Sequence, residues 1–395
     1  MNLEIFFQTH AYLVGHTNVR VHRSLMDRID WNKRLIGIRG CRGVGKTTFL
    51  LSYAKEYFDV QFRQCLYVNM NNFLFQGQGI VDFVEEFCHC GGKVLLIDQA
   101  YKLPDWCAQL LECNKRFPKV RIVYSTSTVD NIEDPSEKML YEISDIYYLH
   151  GFSFREFVNS QTGMEFRTYS LEEILNDHEQ ILKKILPRVR PWNYFQDYLH
   201  HGYYPFFLES HNFMEELLKS VNMMIEVDVL FLKQIDLKYL SRLKKLLYLL
   251  AVEGITSPNV SNLAEAIGTS RATVMNYIRN LEEARLVHLV YREGDVYPKK
   301  PAQIMMHNTN LMYAIYPSEL TTQDVMETFF TNSLWRHHVV NKGKKDSLYK
   351  VDGIDICICD KSRRMRQLPN TYYARYNTEV GRGSDIPLWL FGFLY

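Results

Sequence analysis

Short, almost continuous apolar runs alternate with amphipathic segments over the first 130 residues of the chain. KRLIGIR (33–39), KVLLIDQA (93–100) and VRIVYSTST (120–128) read as buried strands, because a strand covered on both faces need not alternate apolar with polar positions. FLLSYAKEYF (49–58) and DWCAQLLECNKRF (105–117) repeat apolar residues at helical spacing, the second with Asp105 expected as its N-cap. Strands interleaved with helices predict a doubly wound α/β sheet with parallel strands.

Beyond residue 150 the pattern turns helical. GFSFREFV opens a new section after the acidic, turn-prone VDNIEDPSEKM, and helical spacing continues to about 250, broken at Pro187, Pro191 and the aromatic HHGYYPFF around Tyr203, which reads as packing. Within 259–287, Leu263, Ala264 and Ile267 form one short helix, and Gly268 makes a turn. Thr269 or Ser270 caps a second helix that turns Val274, Ile278 and Leu281 inward. HLVYREGDVYPK supplies two strands of a wing. As a DNA reader this module would present Arg271, Thr273, Asn276 and Tyr277 to a groove, with Arg279, Arg292, Lys299 and Lys300 on phosphates. The last hundred residues hold strands at LYKVDGIDICICD and NTEVG and end on IPLWLFGFLY, a strand or tail docked into the core. The expected architecture is a nucleotide-binding α/β domain over 1–155, a helical lid or linker over 156–250, a winged helix over 251–300 and a small α/β domain over 301–395.

Composition narrows the partners. A chain of 395 residues with 47% hydrophobic and 23% charged residues is long enough for two or three domains, and a net charge of +1 gives no global pull toward polyanions. Any such pull must be local: residues 271–300 hold six basic and four acidic side chains, and 341–366, including SRRMRQ, eight and four. No apolar run is long enough to span a bilayer and no secretory pattern opens the chain, so a cytoplasmic protein is expected. The eight cysteines form no CxxC pair, and Cys88, His89 and Cys90 lack a second cluster at metal-finger spacing.

The chemistry concentrates where the first strand meets its helix. Gly40–Thr47 reads GCRGVGKT, a complete phosphate-binding loop in the order strand, loop, helix. Gly40, Gly43 and Gly45 allow backbone N–H groups to turn inward on phosphates; Arg42, Val44 and Thr48 complete the cradle. Lys46 reaches the outer phosphates, and Thr47 places a hydroxyl on magnesium. Asp98 ends the strand KVLLID as the second magnesium residue, and Ser125 ends the next strand where a terminal phosphate is sensed. Gln99 follows Asp98 where a water-activating acid is expected; glutamine orients water but does not ionise, so nucleotide binding with slow or absent hydrolysis follows. Glu85 and Glu86 are alternative acids, and Arg39, Arg42, Arg121 and Arg155 are the arginines weighed for neutralising transferred charge.

The ordered landmarks VRVHRSLMDRIDWNKRLIGIRGCRGVGKTTFLL, GFSFREF, HGYYPFF, NTNLMYAI, ETFF and IPLWLFGFLY make the chain similar to bacterial AAA-family ATP-binding proteins with a C-terminal domain of uncharacterised role. The resemblance implies ATP and magnesium as ligands, Lys46, Thr47, Asp98 and Ser125 as site residues, and self-association, since such sites often form between subunits. DNA or protein is the implied partner of the winged helix. The sequence departs from that pattern at Gln99, at Ser125 and Thr126 in place of a threonine-glycine pair, and in lacking an arginine just before SFREF. The family's last domain looks like a restriction-nuclease relative; Asp352 matches its first acid, while Asp355, Asp360 and Lys361 substitute imperfectly for the rest, which implies a fold kept for binding or packing.

Overall fold

The computed structural model describes residues 3–75, 79–129, 134–345, 347–360, 362 and 368–395, and the chain divides into two compact units, Met1–Gly151 and Phe152–Tyr395. Residues 130–133 of the acidic turn, and Lys361 and 363–367 around SRRMRQ, lie outside the described residues. No helix among the described residues is long and apolar enough to cross a membrane.

The first unit runs α1 (Leu3–His16), α2 (Leu25–Arg28), β1 (Leu35–Arg39), α3 (Lys46–Tyr57), β2 (Cys65–Asn69), α4 (Ile80–His89), β3 (Val94–Asp98), α5 (Trp106–Arg116), β4 (Arg121–Thr126), α6 (Pro135–Ile143) and β5 (Asp145–Tyr148). Its five strands form one parallel sheet in the order β2-β3-β4-β1-β5. Every residue of β1 and β3 is buried, as their unbroken apolar text requires. Gly37 in β1 has a packing cause: a Cβ there would stand 2.5 Å from Ile146 Cδ1 and 2.8 Å from the Tyr124 ring.

β2 is an edge strand, so outward N–H groups need acceptors from elsewhere. The Tyr67 N–H donates to Nδ1 of His10 on α1 at 3.1 Å. Burial holds that imidazole neutral, lowering its pKa to about 4, so one buried acceptor both fastens α1 and closes the edge. The helix expected at 105–117 is present, but Asp105 does not cap it. Its backbone is left-handed, φ 49°, and its side chain makes no capping hydrogen bond; the carbonyl alone accepts from Gln109 N–H at 3.1 Å.

The second unit opens with α7 (Phe154–Thr162), α8 (Leu171–Ile185), α9 (Trp192–Asp197), α10 (Phe213–Met223) and α11 (Leu240–Glu253). Ser153 with Glu156 and Ser170 with Glu173 close reciprocal capping boxes at the starts of α7 and α8. Next come α12 (Val260–Ile267), α13 (Arg271–Glu283), β6 (Val287–Val290), β7 (Gln303–Met306), α14 (Thr309–Ile315) and α15 (Thr322–Leu334). Gly268, at φ 65°, turns α12 into α13, the Ser270 side chain caps Thr273 N–H, and Val274, Ile278 and Leu281 are fully buried. β6 and β7 pair antiparallel. Tyr277 faces inward, 6% exposed, and is removed from the groove-facing set: helical spacing places it beside Val274 and Ile278.

The unit closes with β8 (Val340–Lys342), β9 (Leu348–Val351), β10 (Ile354–Asp360), β11 (Thr371–Tyr376) and β12 (Asp385–Pro387), a mixed sheet in the order β12-β11-β10-β9-β8. NTEVG is not a strand. It follows β11 at Asn377, whose φ of 59° ends the extended run. Leu388–Phe393 is buried throughout among Phe154, Phe329 and Phe166, which settles the apolar terminus as core. Tyr203 and Tyr204 are likewise buried and pack edge to face.

Candidate functional site

In a parallel sheet the strand ends that point the same way collect at one edge, and ligands bind outside the carboxyl ends. Register brings Asn69 opposite Asp98, Ile38 opposite Ser125 and Arg39 opposite Thr126 at that edge of the first unit. The loop from Gly40 to Gly45 leaves β1 there. Gly43 and Gly45 adopt φ of 81° and 91°, and Gly45 stands as the N-cap of α3, so the unpaired N–H groups of its first turn lie within the loop. Gly40 is needed for another reason: a Cβ would meet the Leu149 carbonyl oxygen at 2.5 Å and Val44 Cγ2 at 3.0 Å. Val44 is itself fully buried and anchors the loop from below.

The side chains form one hydrogen-bonded set around Asp98, a carboxylate with no exposure. Thr47 donates to its Oδ2 at 2.6 Å, Tyr67 at 2.8 Å and Asn69 Nδ2 at 3.3 Å. On the other oxygen, Ser125 Oγ donates to Oδ1, and the Gln99 N–H reaches Oδ1 at 3.1 Å and Ser125 Oγ at 2.9 Å. Gln99 is held in the left-handed region, φ 55°. Burial, with the neighbouring Asp98 charge, pushes the Tyr67 phenol far above its ordinary value, so it stays a donor. Lys46 Nζ folds back on the loop and donates to the carbonyls of Gly40 at 2.6 Å and Cys41 at 2.9 Å. Arg42 bonds the Tyr101 hydroxyl at 3.0 Å, tying the loop to the segment after β3. Thr48 lies exposed one residue further along α3.

Lys46, Thr47, Asp98, Gln99 and Ser125 are therefore brought together. Several other residues weighed from sequence are not. Glu85 pairs with Arg116 at 3.1 Å near the end of α4 that leads into the start of β3, at the opposite edge from Asp98, and Glu86 follows it on that helix. Arg39 is buried, donates to the carbonyls of Ser127 and Thr128, and lies over the Tyr141 ring. Arg121 begins β4, at the other end from Ser125, and bonds the Trp31 carbonyl. Arg155 belongs to the second unit and donates to the carbonyls of Phe166 and Tyr395. Tyr67, Asn69 and Arg23 are the residues that sequence reasoning missed. Arg23 donates to the Val44 carbonyl at 3.2 Å and to the His150 carbonyl, pinning the phosphate loop to the last residues of its unit. The apolar run CLYVN ending in a polar residue was the available signal for Tyr67 and Asn69; none existed for Arg23.

The acids of the last sheet do not converge. Asp352 sits in the left-handed turn between β9 and β10, holding His338 at 2.6 Å and Val339 N–H at 2.8 Å. Asp360 ends β10, bonded to Ser362 and Asn377. A strand of this length separates them by roughly 20 Å at ~3.3 Å per residue, too far to share one ion. No metal-ligating cluster of three occurs among the described residues, Cys88, His89 and Cys90 included.

A parallel α/β sheet with a glycine loop and a buried aspartate at its carboxyl edge is the arrangement of a P-loop domain, and residues 32–158 match the family model described as AAA domain. Residues 193–300 match a second model, described as Domain of unknown function (DUF8612). An uncharacterised protein of Methanocaldococcus jannaschii is 26% identical over 280 residues, covering 67% of this chain; the chain spans 58% of that relative's length. Solved structures similar to the chain include PCH-2 of C. elegans, 17% identical over 71% of this chain and 66% of the other at a TM-score of 0.24. RuvB of Thermotoga maritima matches at 14% identity over 81% and 93% with a TM-score of 0.27, and domain III of the replication initiation protein DnaA from the same organism at 15% over 55% and 90% with a TM-score of 0.25.

Proposed function

We propose that this chain binds ATP with magnesium at the Gly40–Thr48 loop and that its hydrolysis is slow, so that nucleotide occupancy acts mainly as a switch on the second unit. The observation that carries the reading is the Asp98 carboxylate lying under the phosphate loop with Thr47 on one oxygen and Ser125 with Gln99 on the other. A buried carboxylate beside a threonine hydroxyl is the hard-oxygen pair that suits magnesium, which would neutralise charge on the outer phosphates. Lys46 exchanges its two loop carbonyls for phosphate oxygens on binding. Ser125 orients Asp98 and marks the terminal phosphate. Gln99, anchored through its N–H, orients a water without accepting its proton. Arg39, Arg121 and Arg155 are committed elsewhere, which leaves Arg42 of the loop itself, bonded to Tyr101, or an arginine of a second copy of the chain for that role in this reading.

Titration of a fluorescent ATP analogue with magnesium tests the proposal. Saturable, magnesium-dependent binding that disappears in Lys46→Ala is expected; binding unchanged in that variant, or none in the parent, refutes it.

A further inference from the structure

The second unit carries a groove of about 660 Å³ where the N-terminal ends of α12 and α13 approach the arm that leads into β7, lined in part by Ser257, Asn259, Ser261, Arg271, Met275 and Lys300. None of its lining residues is acidic. Its polar groups are hydroxyls, an amide and two cations, and both helices direct the positive ends of their dipoles toward it. The composition of the wall selects an anion.

The raw charge of this module, six basic against four acidic residues over 271–300, understates the field because the charges are not equally available. Asp295 is paired with Lys299 at 2.6 Å and Glu293 with Lys350 at 2.8 Å. Glu283 is held by Lys233 and Arg279, and Glu282 accepts the Leu289 N–H. Arg271 and Lys300 are exposed and make no ion pair or hydrogen bond among the described residues, and Arg292 on the loop between β6 and β7 makes none either. All four acids are engaged, while three cations are left for solvent or a ligand. The two in the groove are also held in register: the Tyr297 hydroxyl donates to Asn276 on α13 at 2.7 Å and its ring lies under Arg279 at 4.7 Å, which clamps the loop carrying Lys300 against the helix carrying Arg271.

We propose that this groove binds the phosphate backbone of duplex DNA, with Arg271 and Lys300 on phosphates and the exposed start of α13 entering a groove of the duplex. The volume far exceeds one phosphate, and two cations on separate elements with hydrogen-bond donors between them match a chain of regularly spaced anions. The proposal is independent of the nucleotide site.

Fluorescence anisotropy of the full chain with a labelled random 30-base-pair duplex, over a salt series, tests it. Each phosphate contact removed should flatten the slope of log K against log salt by about 0.9, which at 0.1 M salt is a roughly eightfold loss of affinity. Arg271→Ala and Lys300→Ala should each show that loss, and Lys219→Ala, an exposed lysine on α10, should show none. Both groove side chains are exposed, so an unchanged melting temperature is the check on folding. Absence of duplex binding at 50 mM salt, or binding with the same affinity and slope in both groove variants, overturns the proposal; so does an acidic peptide that occupies the groove in a chain that ignores DNA. Carrying Lys46→Ala through the same series separates this result from the nucleotide reading: loss of ATP binding with DNA binding retained sinks neither.

Discussion

Replacing Gln99 by glutamate supplies an ionisable acid beside the proposed nucleotide site, and the backbone at that position is suited to the change. Glutamate has the length and shape of glutamine, so the left-handed backbone at residue 99 and the two hydrogen bonds of its N–H to Asp98 and Ser125 are kept. The introduced carboxylate is then carried by the residue next to the buried Asp98. Two carboxylates about 6 Å apart at an effective dielectric of ~20 repel by up to about 3 kcal/mol, or about two pKa units. Starting from an ordinary value of about 4.3, that carries the new acid toward 6, ionised at pH 7.5 yet basic enough to take a proton from water. General-base assistance from a positioned group contributes roughly 10²- to 10⁴-fold. Phosphate release at saturating magnesium-ATP should therefore rise at least tenfold in Gln99→Glu, with a rate that climbs between pH 5 and 7, while affinity for the analogue stays within about twofold. Gln99→Ala should be no faster than the parent. A Gln99→Glu variant no faster than the parent, with binding intact, would refute the assignment of the missing base to this position.

Two further outcomes follow from the first unit. His10 is buried as a neutral acceptor with its pKa lowered from 6.5 to about 4, so its contribution is complete above pH 6.5 and is lost as pH falls toward 4, where the unfolded chain binds the extra proton. That lowering corresponds to about 3 kcal/mol, and urea midpoints at pH 7.5 and 4.5 should differ by more in the parent than in His10→Gln; equal differences would remove His10 as the cause. Gly40→Ala must displace the Leu149 carbonyl or tilt the loop, and a melting-temperature drop of several degrees with ATP-analogue affinity down at least tenfold is expected; unaltered binding would show that the loop yields easily.

Legibility from sequence tracked how far apart the cooperating residues lie. The strands β1, β3 and β4 and the α12–α13 turn were read within a residue or two, and the helix α3 from its second turn on, because burial on both faces, helical spacing and a single glycine are local signals. Lys46 and Thr47 were legible through a motif, and Asp98 and Ser125 through their places at strand ends. Tyr67 and Asn69 were not, because they belong to an edge strand whose only distinction is register with Asp98, a fact of sheet order rather than of text. Arg23 joins Val44 to His150 across more than a hundred residues and leaves no pattern. The errors have the same origin. Asp105 had the right residue type for a cap but a left-handed backbone and no capping hydrogen bond from its side chain; Tyr277 had the right polarity for a groove but the wrong helical phase. Charge is the instructive case, since a sum over 271–300 showed almost no excess, whereas ion pairs hold Glu283, Glu293 and Asp295, Glu282 accepts a backbone N–H, and Arg271, Arg292 and Lys300 have no acid partner among the described residues. What a surface offers a ligand is set by the charges its own fold has not already used, and that quantity exists only once the partners are known.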